Sequence, residues 1–318
     1  MLSRVADALY WMGRYIERAE NVTRLLLVTE DLSTEIQGLD ERLAQAEWRD
    51  LLAIFPGTSL EEPGARAVRE GALGYLQAFT VDPYNPFSTL FSLRKARENA
   101  RSAREALTQE VFINLNETYR DLAGTTTKSL RDVPACRGAL AAAEKGILST
   151  VGAIEHTMSR DRGWLFLKLG ETLERTFRTA AVLRAKLPAL AGPDPPKDIE
   201  LFYTRWRSLL RSLSSLENYR KACGARMEPQ LVMRFALFDP EAPRSLRYGA
   251  AAVKGYLERI SGDQELTPPA RAIGKLYMEL CYGDEQAFGR GDCAGFLDHV
   301  LGELGKTHDA IAAHFFGA

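Results

Sequence analysis

One helical segment occurs twice in this sequence. The first copy, Leu9–Leu27, is LYWMGRYIERAENVTRLLL, and the second, Trp164–Leu183, is WLFLKLGETLERTFRTAAVL. The match indicates an internal duplication, so the chain is predicted to fold as two similar units. Aligned 157 residues apart, the copies share a glycine, a Glu-Arg pair and three apolar positions: Gly13 with Gly170, Glu17-Arg18 with Glu174-Arg175, Met12 with Leu169, Ile16 with Leu173, and Leu26 with Leu183.

Two further pairs of landmarks have nearly the same spacing. Trp48-Arg49 matches Trp206-Arg207, 158 residues later, and the pattern DPxxPxS begins at Asp82 and again at Asp239. The matches predict an all-α, internally duplicated helical bundle, a pseudo-dimer of residues 1–157 and 158–318 packed together as one unit. A fused pseudo-dimer fits better than a solenoid, because solenoid repeats span only about 20–50 residues. The two leading helices are expected to lie together near the pseudo-two-fold axis, as an isologous pair does.

Composition restricts the class of partner. The formal net charge is −1, with 46% hydrophobic and 26% charged residues, which is typical of a soluble globular protein. The chain has no overall positive field for nucleic acid or an anionic membrane, and no apolar run of the ~20 residues that span a bilayer. Its four cysteines lack metal-binding spacing, so we expect a cytoplasmic protein with reduced thiols and no metal.

Apolar residues recur at helical spacing along almost the whole chain. Ser3 is placed to cap the first helix, and Asn85-Pro86 to cap the fourth and supply its first residue. The most linker-like segment is Pro188–Lys197. After the leading helix, we expect helices near 41–55, 65–79 and 86–107, followed by a shorter helix that ends at about 122. Further helices are expected near 135–157, 162–186, 198–217, 229–237, 243–261, 268–281 and 293–316.

The carboxylate of the second Glu-Arg pair is predicted to be buried. Glu174 shares its helical face with apolar residues such as Leu167, and a buried carboxylate requires a partner or a raised pKa. The adjacent Arg175 cannot be that partner, since neighbouring residues point about 100° apart on a helix. We therefore expect a partner from another helix. One symmetric solution exchanges the arginines between copies: Arg175 with Glu17 and Arg18 with Glu174.

Two interpretations of these pairs are open. In the first, they are interlocking ion pairs that fix the register of two buried helices, and the glycines one turn earlier allow close approach. In the second, Glu17 and Glu174 are candidate catalytic residues, paired carboxylates for a cation, an amine substrate or a proton transfer. Arg18 and Arg175 would then be binding residues beside them.

A basic stripe follows the first DPxxPxS turn. The arginine fork favours carboxylate or phosphate, so the stripe is a candidate binding surface. The alternative is a solvated helix in which Glu98 and Glu105 each pair with the arginine four residues earlier. The second copy keeps only Lys254, so a site here would be asymmetric. The stripe consists of arginines at i, i+3, i+7 and i+10: Arg94, Arg97, Arg101 and Arg104.

Four segments carry a family resemblance. MLSRVADALYWMGRYIERAENVTRLL at the N-terminus, Val81–Glu105, Met158–Thr176 and Phe235–Leu246 resemble the bacterial alpha-E family, and the resemblance covers essentially the whole chain. It implies a helical protein encoded beside circularly permuted ATP-grasp amide ligases and transglutaminase-like proteins, in a system that makes or modifies peptides. It also implies binding residues in the RxxRENxR and Pro-Arg-Ser patterns: Arg94, Arg97, Glu98, Asn99, Arg101 and Arg244.

Other motifs are weak or missing. The sequence has no GxxxxGK[ST] or GxGxxG loop and no assembled Ser/His/Asp or Cys/His set, so we expect no cofactor and no ATP-ligase activity of its own. His299 and Glu303, four residues apart, could form one edge of a metal site, but no third ligand is evident. The two DPxxPxS segments are interpreted as turns that start a helix.

The leading hypothesis is an accessory partner of an ATP-grasp amide ligase, whose Glu-Arg centre and arginine stripe shape a site or a docking surface. A transglutaminase-like protein is a further expected partner. Two alternatives are open: a stand-alone enzyme that uses the paired carboxylates on an amide or amine, and a purely structural helical homo-oligomer.

Overall fold

The computed structural model describes residues 2–56, 70–190, 199–262, 266–282 and 293–317, and every regular element in these ranges is helical. The predicted all-α fold class is therefore confirmed. None of the helices in this part of the chain combines the length and apolar character that crossing a bilayer requires. The helices are α1 (Ser3–Gln37), α2 (Glu41–Ile54), α3 (Gly71–Thr80), α4 (Thr89–Ser102), α5 (Gln109–Ala123), α6 (Val133–Thr157), α7 (Arg162–Leu190), α8 (Ile199–Ser212), α9 (Leu216–Cys223), α10 (Pro229–Phe238), α11 (Leu246–Ser261), α12 (Pro268–Tyr282) and α13 (Cys293–Ile311).

Helix α1 is the centre of the first of two compact units, Met1–Glu171. It is 35 residues long and packs against α2, α3, α4 and α6. Every residue from Ala19 to Leu26, more than two turns, is buried, so this part of the helix is covered on all faces. Helix α5 completes the unit by packing against α4 and α6.

Helices α1 and α7 touch through their backbones in the first unit. A Cβ atom added to Gly13 would overlap the Leu167 carbonyl oxygen and lie 2.9 Å from the Glu171 amide nitrogen. A Cβ atom added to Gly170 would overlap the Tyr10 carbonyl oxygen and lie 2.8 Å from the Tyr10 carbonyl carbon. The glycines therefore allow the close helix approach that the sequence predicted, because any side chain would hold the backbones apart.

The second compact unit, Thr172–Ala318, contains the remainder of α7 and helices α8 to α13. Helix α10 packs against α11 and α12, α11 packs against α12, and α12 packs against α13. Helix α9 contacts α8 and α10. Trp206 of α8 is fully buried, and Gly249 of α11 lies against the side chain of Thr176.

A serine begins the helix after the first DPxxPxS turn. Ser88 Oγ accepts a hydrogen bond from the Phe91 amide at 3.0 Å, so Ser88 is the N-cap of α4. The expected start at Asn85-Pro86 is therefore wrong. Asn85 instead closes the turn, since its Oδ1 accepts a hydrogen bond from the Phe87 amide at 3.0 Å.

The second turn is built in the same way. Ser245 Oγ accepts a hydrogen bond from the Tyr248 amide at 3.0 Å, and α11 begins after this serine rather than at Pro243. In each turn the serine hydroxyl also donates to a carbonyl oxygen, that of Asp82 or Asp239. A serine cap satisfies a free amide of the first helical turn, which the proline ring cannot do.

Two other helix boundaries differ from expectation. Leu2 is the N-cap of α1 and Ser3 is its first residue, and no side chain caps this helix. The single helix expected over 198–217 is instead two helices, α8 and α9, separated at Ser214, whose φ of 48° is left-handed. A left-handed residue cannot continue a right-handed helix, so the chain turns there.

The expected linker begins later than predicted. Helix α7 continues through Pro188 to Leu190. The rest of the linker, 191–197, lies outside the described residues, as do residues 65–69 of the expected third helix.

We expect Ser88→Ala to lose about 1–2 kcal/mol of unfolding free energy, because the variant removes the N-cap of α4 and the hydroxyl that donates to the Asp82 carbonyl. Ser245→Ala is expected to lose a similar amount. Ser102→Ala, at the exposed end of α4, is the control and should change stability by less than about 0.5 kcal/mol. Urea denaturation measures these differences. Equal midpoints for Ser88→Ala and Ser102→Ala would contradict the capping role.

Candidate functional site

The first Glu-Arg pair lies beside the first DPxxPxS turn. Glu17 is buried, with 3% of its surface exposed. Arg18 is half-buried, and its guanidinium lies over the rings of Tyr15, at 5.0 Å, and Phe87, at 5.6 Å. Since Phe87 belongs to the turn before α4, cation–π contacts of Arg18 connect α1 to that turn.

The carboxylate of Glu174 is fully buried, and an arginine of its own helix pairs with it. Arg178 Nε donates to Glu174 Oε1 at 3.0 Å. A partner within the same helix is therefore available, which the expectation of a partner from another helix did not consider, because it looked only at the adjacent Arg175. Residues four apart share a helical face, so Arg178 reaches the carboxylate from within α7. The exchanged pairs, Arg175 with Glu17 and Arg18 with Glu174, stay predictions.

The two copies differ at the position of this arginine. Asn21 stands in α1 where Arg178 stands in α7, 157 residues later. Asn21 is 1% exposed, and within the described ranges its Oδ1 atom accepts no hydrogen bond. The ion pair of Glu174 thus has no equivalent at the same position of the first copy.

A buried ion-pair network that the sequence analysis missed involves α6 and α7. Lys168 Nζ donates to both carboxylate oxygens of Glu171, at 2.7 and 2.8 Å, and to Glu155 at 2.8 Å. Arg160 pairs with Glu155 at 3.1 Å. Burial opposes the charge of Lys168, but the two carboxylates more than offset it and raise the pKa of Lys168 above its usual value. The i,i+3 spacing of Lys168 and Glu171 is the signal that could have revealed the network.

A second missed set of charges joins α1 to α6. Arg137 of α6 pairs with Glu30 of α1. Further along the same two helices, Arg24 pairs with Glu20 on α1, and Glu144 of α6 is their neighbour. Burial and the Glu20 carboxylate raise the pKa of Glu144, and Arg24 partly opposes the increase. The contacts of Arg137 and Glu144 with α1 join helices more than 100 residues apart in sequence, so residue spacing does not predict them.

The arginines of the stripe pack on aromatic rings. A cation–π contact holds a guanidinium in place without neutralising its charge. The stripe therefore stays positive while three of its four side chains are fixed. Three of the four arginines are held in this way: Arg94 over Phe91 at 5.0 Å, Arg97 over Tyr119 at 4.9 Å, and Arg104 over Phe112 at 4.8 Å.

Hydrogen bonds fix all three of these arginines further. Arg94 Nη2 donates to the Pro83 carbonyl oxygen at 3.0 Å, and Arg97 Nε donates to Asn116 Oδ1 at 2.6 Å. Arg104 Nη1 donates to the Leu107 carbonyl oxygen at 3.0 Å. Arg101 is exposed, and its guanidinium makes no hydrogen bond or ion pair with the described part of the chain.

The acid expected to pair with Arg94 binds another cation. Glu98 pairs with Lys95 at 2.7 Å instead. Asn99 of the same motif donates its side-chain amide to the Lys95 carbonyl oxygen at 2.9 Å. Because Arg94 is directed toward Pro83, Lys95 is the cation available to this glutamate.

Arg244 and the candidate metal edge are in the second unit. Arg244 is half-buried in the second DPxxPxS turn, and its role in binding stays a prediction. His299 contacts Glu279 of α12 at 2.8 Å, whereas Glu303 pairs with Lys306 at 2.6 Å. His299 and Glu303, the two residues of the candidate metal site, thus bind separate partners. Within the described ranges, no group of three His, Cys, Asp or Glu residues could hold a metal ion.

The described residues define a class of all-helical protein in which the glutamates of two Glu-Arg pairs, Glu17 and Glu174, are buried. The chain belongs to the Alpha-E family, whose sequence model describes a predicted alpha-helical domain with a conserved ER motif and matches residues 1–316. Glu17-Arg18 and Glu174-Arg175 are among the Glu-Arg pairs of this sequence. No solved structure matches the chain.

The chain is also similar to longer mycobacterial proteins. An uncharacterized protein of Mycobacterium bovis is 28% identical over 292 residues, which cover 87% of this chain and 32% of that protein. Uncharacterized proteins of two Mycobacterium tuberculosis strains are 28% and 27% identical, with the same coverage. The chain therefore spans about a third of the length of these curated relatives.

Proposed function

We propose that this protein is an accessory partner of an ATP-grasp amide ligase, without catalysis of its own, and that the ligase docks on one face of α4. The α4 face consists of Tyr84, Arg94, Lys95, Arg97 and Arg101. The observation that carries the proposal is that two of its three arginines, Arg94 and Arg97, are held by aromatic rings and neutral acceptors rather than by acids. A charged surface that is already ordered loses little conformational entropy when a partner binds.

Tyr84 supports the assignment of the α4 face as an interface. It extends from the first DPxxPxS turn with 90% of its surface exposed. The neighbouring Pro83 carbonyl accepts the hydrogen bond from Arg94, so the tyrosine and the arginines belong to one surface. Tyrosine and arginine are enriched at interfaces and among the residues that dominate binding energy. The matching surface of the ligase is expected to be acidic.

The length of the relatives supports a partner role. In the mycobacterial proteins the matched region is 32% of the chain, so a domain of this kind occurs together with about twice as much other sequence. A domain that is covalently joined to other sequence in one protein is suited to bind a separate protein in another. The alpha-E resemblance supplies the identity of the proposed partner, an ATP-grasp amide ligase, and of a second one, a transglutaminase-like protein.

We also propose that the fold is an internal duplication. Gly13 lies against Leu167, and Gly170 lies against Tyr10. In the 157-residue alignment Gly13 matches Gly170 and Tyr10 matches Leu167, so the two contacts are equivalent, as contacts across a two-fold axis are. Ser88 and Ser245 make the same two hydrogen bonds. The hydroxyl of each serine accepts a hydrogen bond from a helix amide and donates one to the carbonyl oxygen of the aspartate of its turn. Both observations support the pairing of residues that the sequence alignment makes.

A structural role for the buried glutamates fits this proposal better than catalysis does. Glu174 is fully buried and pairs with Arg178, and Glu171 is buried and pairs with Lys168. A carboxylate already paired with a fixed cation is poorly placed to bind a substrate amine or to accept a proton.

The test of the proposed function measures binding of the purified protein to an ATP-grasp ligase from the same genome by isothermal titration calorimetry. We expect Arg101→Glu combined with Tyr84→Ala to weaken the affinity about tenfold or more, because the variant reverses a charge and removes an aromatic contact. Lys128→Glu, an equal charge reversal on the exposed loop between α5 and α6, is the control. The proposal fails if the wild-type protein does not bind the ligase, or if both variants bind equally well.

A further inference from the structure

A concave surface lies in the second unit between α8 and the segment that follows α9. Its volume is about 810 Å³, which is within the range of small-ligand sites. We call it the α8–α9 groove. It is lined by Ile199, Glu200, Tyr203 and Arg207 of α8, Arg220 of α9, and residues Gly224, Ala225, Arg226 and Met227.

Positive charge is concentrated in this groove, although the chain as a whole has a formal net charge of −1. Three arginines and one glutamate line it. Arg207 Nη2 donates to Thr204 Oγ1 at 2.8 Å, and Arg220 Nη1 pairs with Glu217 at 2.9 Å. Arg226 is exposed, and its guanidinium forms no hydrogen bond or ion pair with the described residues. The groove therefore offers guanidinium donors to an anion.

Apolar side chains lie beside these charges. Tyr203 is 44% exposed and Ile199 is 65% exposed, and both line the groove together with Met227. Exposed apolar groups that are grouped in a concave surface indicate a ligand with an apolar part. An isolated phosphate would leave these side chains unused.

The segment that carries Arg226 is fixed by the fold. Helix α9 ends at Gly224, whose φ of 73° is left-handed and favours glycine. Tyr219 is fully buried, its hydroxyl donates to the Arg226 carbonyl oxygen, and its ring packs edge-on against Phe235 at 5.5 Å. The groove thus exists before a ligand arrives, which lowers the entropic cost of binding.

We propose that the α8–α9 groove binds an acidic peptide, in which a side-chain carboxylate contacts Arg207 and Arg226 and a neighbouring apolar side chain lies against Tyr203. The arginine fork matches the two oxygens of a carboxylate, and the apolar residues account for the second part of the ligand. This inference is independent of the proposed ligase partner, because the α4 face belongs to the first unit and the groove to the second.

Calorimetric titration with the peptide N-acetyl-Leu-Glu-Leu-amide tests the proposal. We expect a Kd below about 1 mM for the full chain, and a Kd about tenfold or more higher for Arg226→Gln and for Arg207→Gln, because each variant loses a charge-assisted hydrogen bond. Lys221→Gln, an equal loss of charge on the exposed surface of α9 outside the groove, is the matched control and should bind within about twofold of wild type.

The chemistry of the ligand is tested by two further probes. The glutamine analogue of the peptide should bind about tenfold or more weakly, and inorganic phosphate should not displace the peptide at an equal concentration. Equal binding of the glutamine analogue, displacement by phosphate, unchanged affinity in both arginine variants, or no binding of the peptide at millimolar concentration would each overturn the proposal.

Discussion

Gly170→Ala should destabilise the first unit by about 3 kcal/mol or more. The added Cβ would overlap the Tyr10 carbonyl oxygen and lie 2.8 Å from the Tyr10 carbonyl carbon, and both are backbone atoms that cannot rotate away. The helices would have to separate, with loss of packing around the most buried part of α1. Gly13→Ala is expected to have a similar effect, because its Cβ would overlap the Leu167 carbonyl oxygen.

The control for this prediction is another helical glycine. A Cβ added to Gly152 of α6 meets no described atom within 4 Å, so Gly152→Ala should be neutral or stabilise the protein by about 0.5–1 kcal/mol through its helix propensity. Urea denaturation followed by circular dichroism gives both values. If Gly170→Ala and Gly152→Ala have the same midpoint, then α1 and α7 do not pack backbone to backbone.

Arg178→Met is expected to reduce stability by about 3–5 kcal/mol. The variant leaves the carboxylate of Glu174, which is fully buried, without the guanidinium that donates to it at 3.0 Å. In the double variant Glu174→Gln with Arg178→Met, the buried charge is also removed, so the loss should be smaller than in Arg178→Met alone. Such non-additivity identifies a coupled pair.

Arg184→Met provides the matched control on the same helix. Arg184 pairs with Asp298 at 2.7 Å on the protein surface, where solvent already screens both charges, so this variant should have little effect. Denaturation midpoints of the single and double variants decide the question. Equal losses in Arg178→Met and Arg184→Met, or simple additivity of the two changes at the buried pair, would rule out a structural ion pair at Glu174.

The positions of the helices could be predicted from the sequence because most of them have one apolar face, and that periodicity is local information. The residues at which the helices begin were less predictable, because asparagine and serine can both serve as an N-cap. Both Asn85 and Ser88 precede α4, and the three-dimensional turn selects Ser88. The burial of Glu174 followed from its helical face and is observed, and Glu17, whose face gave no such prediction, is buried as well.

The partners of the charged groups were mostly not predictable, because they depend on how distant helices pack. The pair of Glu174 and Arg178 was in principle readable from its i,i+4 spacing. The contacts of Lys168 with Glu155 and of Arg137 with Glu30 join separate helices, and the sequence holds no spacing signal for them. The α8–α9 groove was missed for the same reason, since its arginines come from α8, α9 and the following segment.

The contact between α1 and α7 has a consequence for synthesis of the protein. Helix α1 leaves the ribosome before α7, because the backbone of α7 that packs on Gly13 is made more than 150 residues later. At an elongation rate of about 5–20 residues per second that interval is on the order of 10 s. The part of α1 around Tyr10 and Gly13, which packs on α7 in the finished protein, stays uncovered for that time, so the nascent chain should be a substrate for ribosome-associated chaperones. Translation arrested before residue 162 should leave the α1 helix accessible to protease.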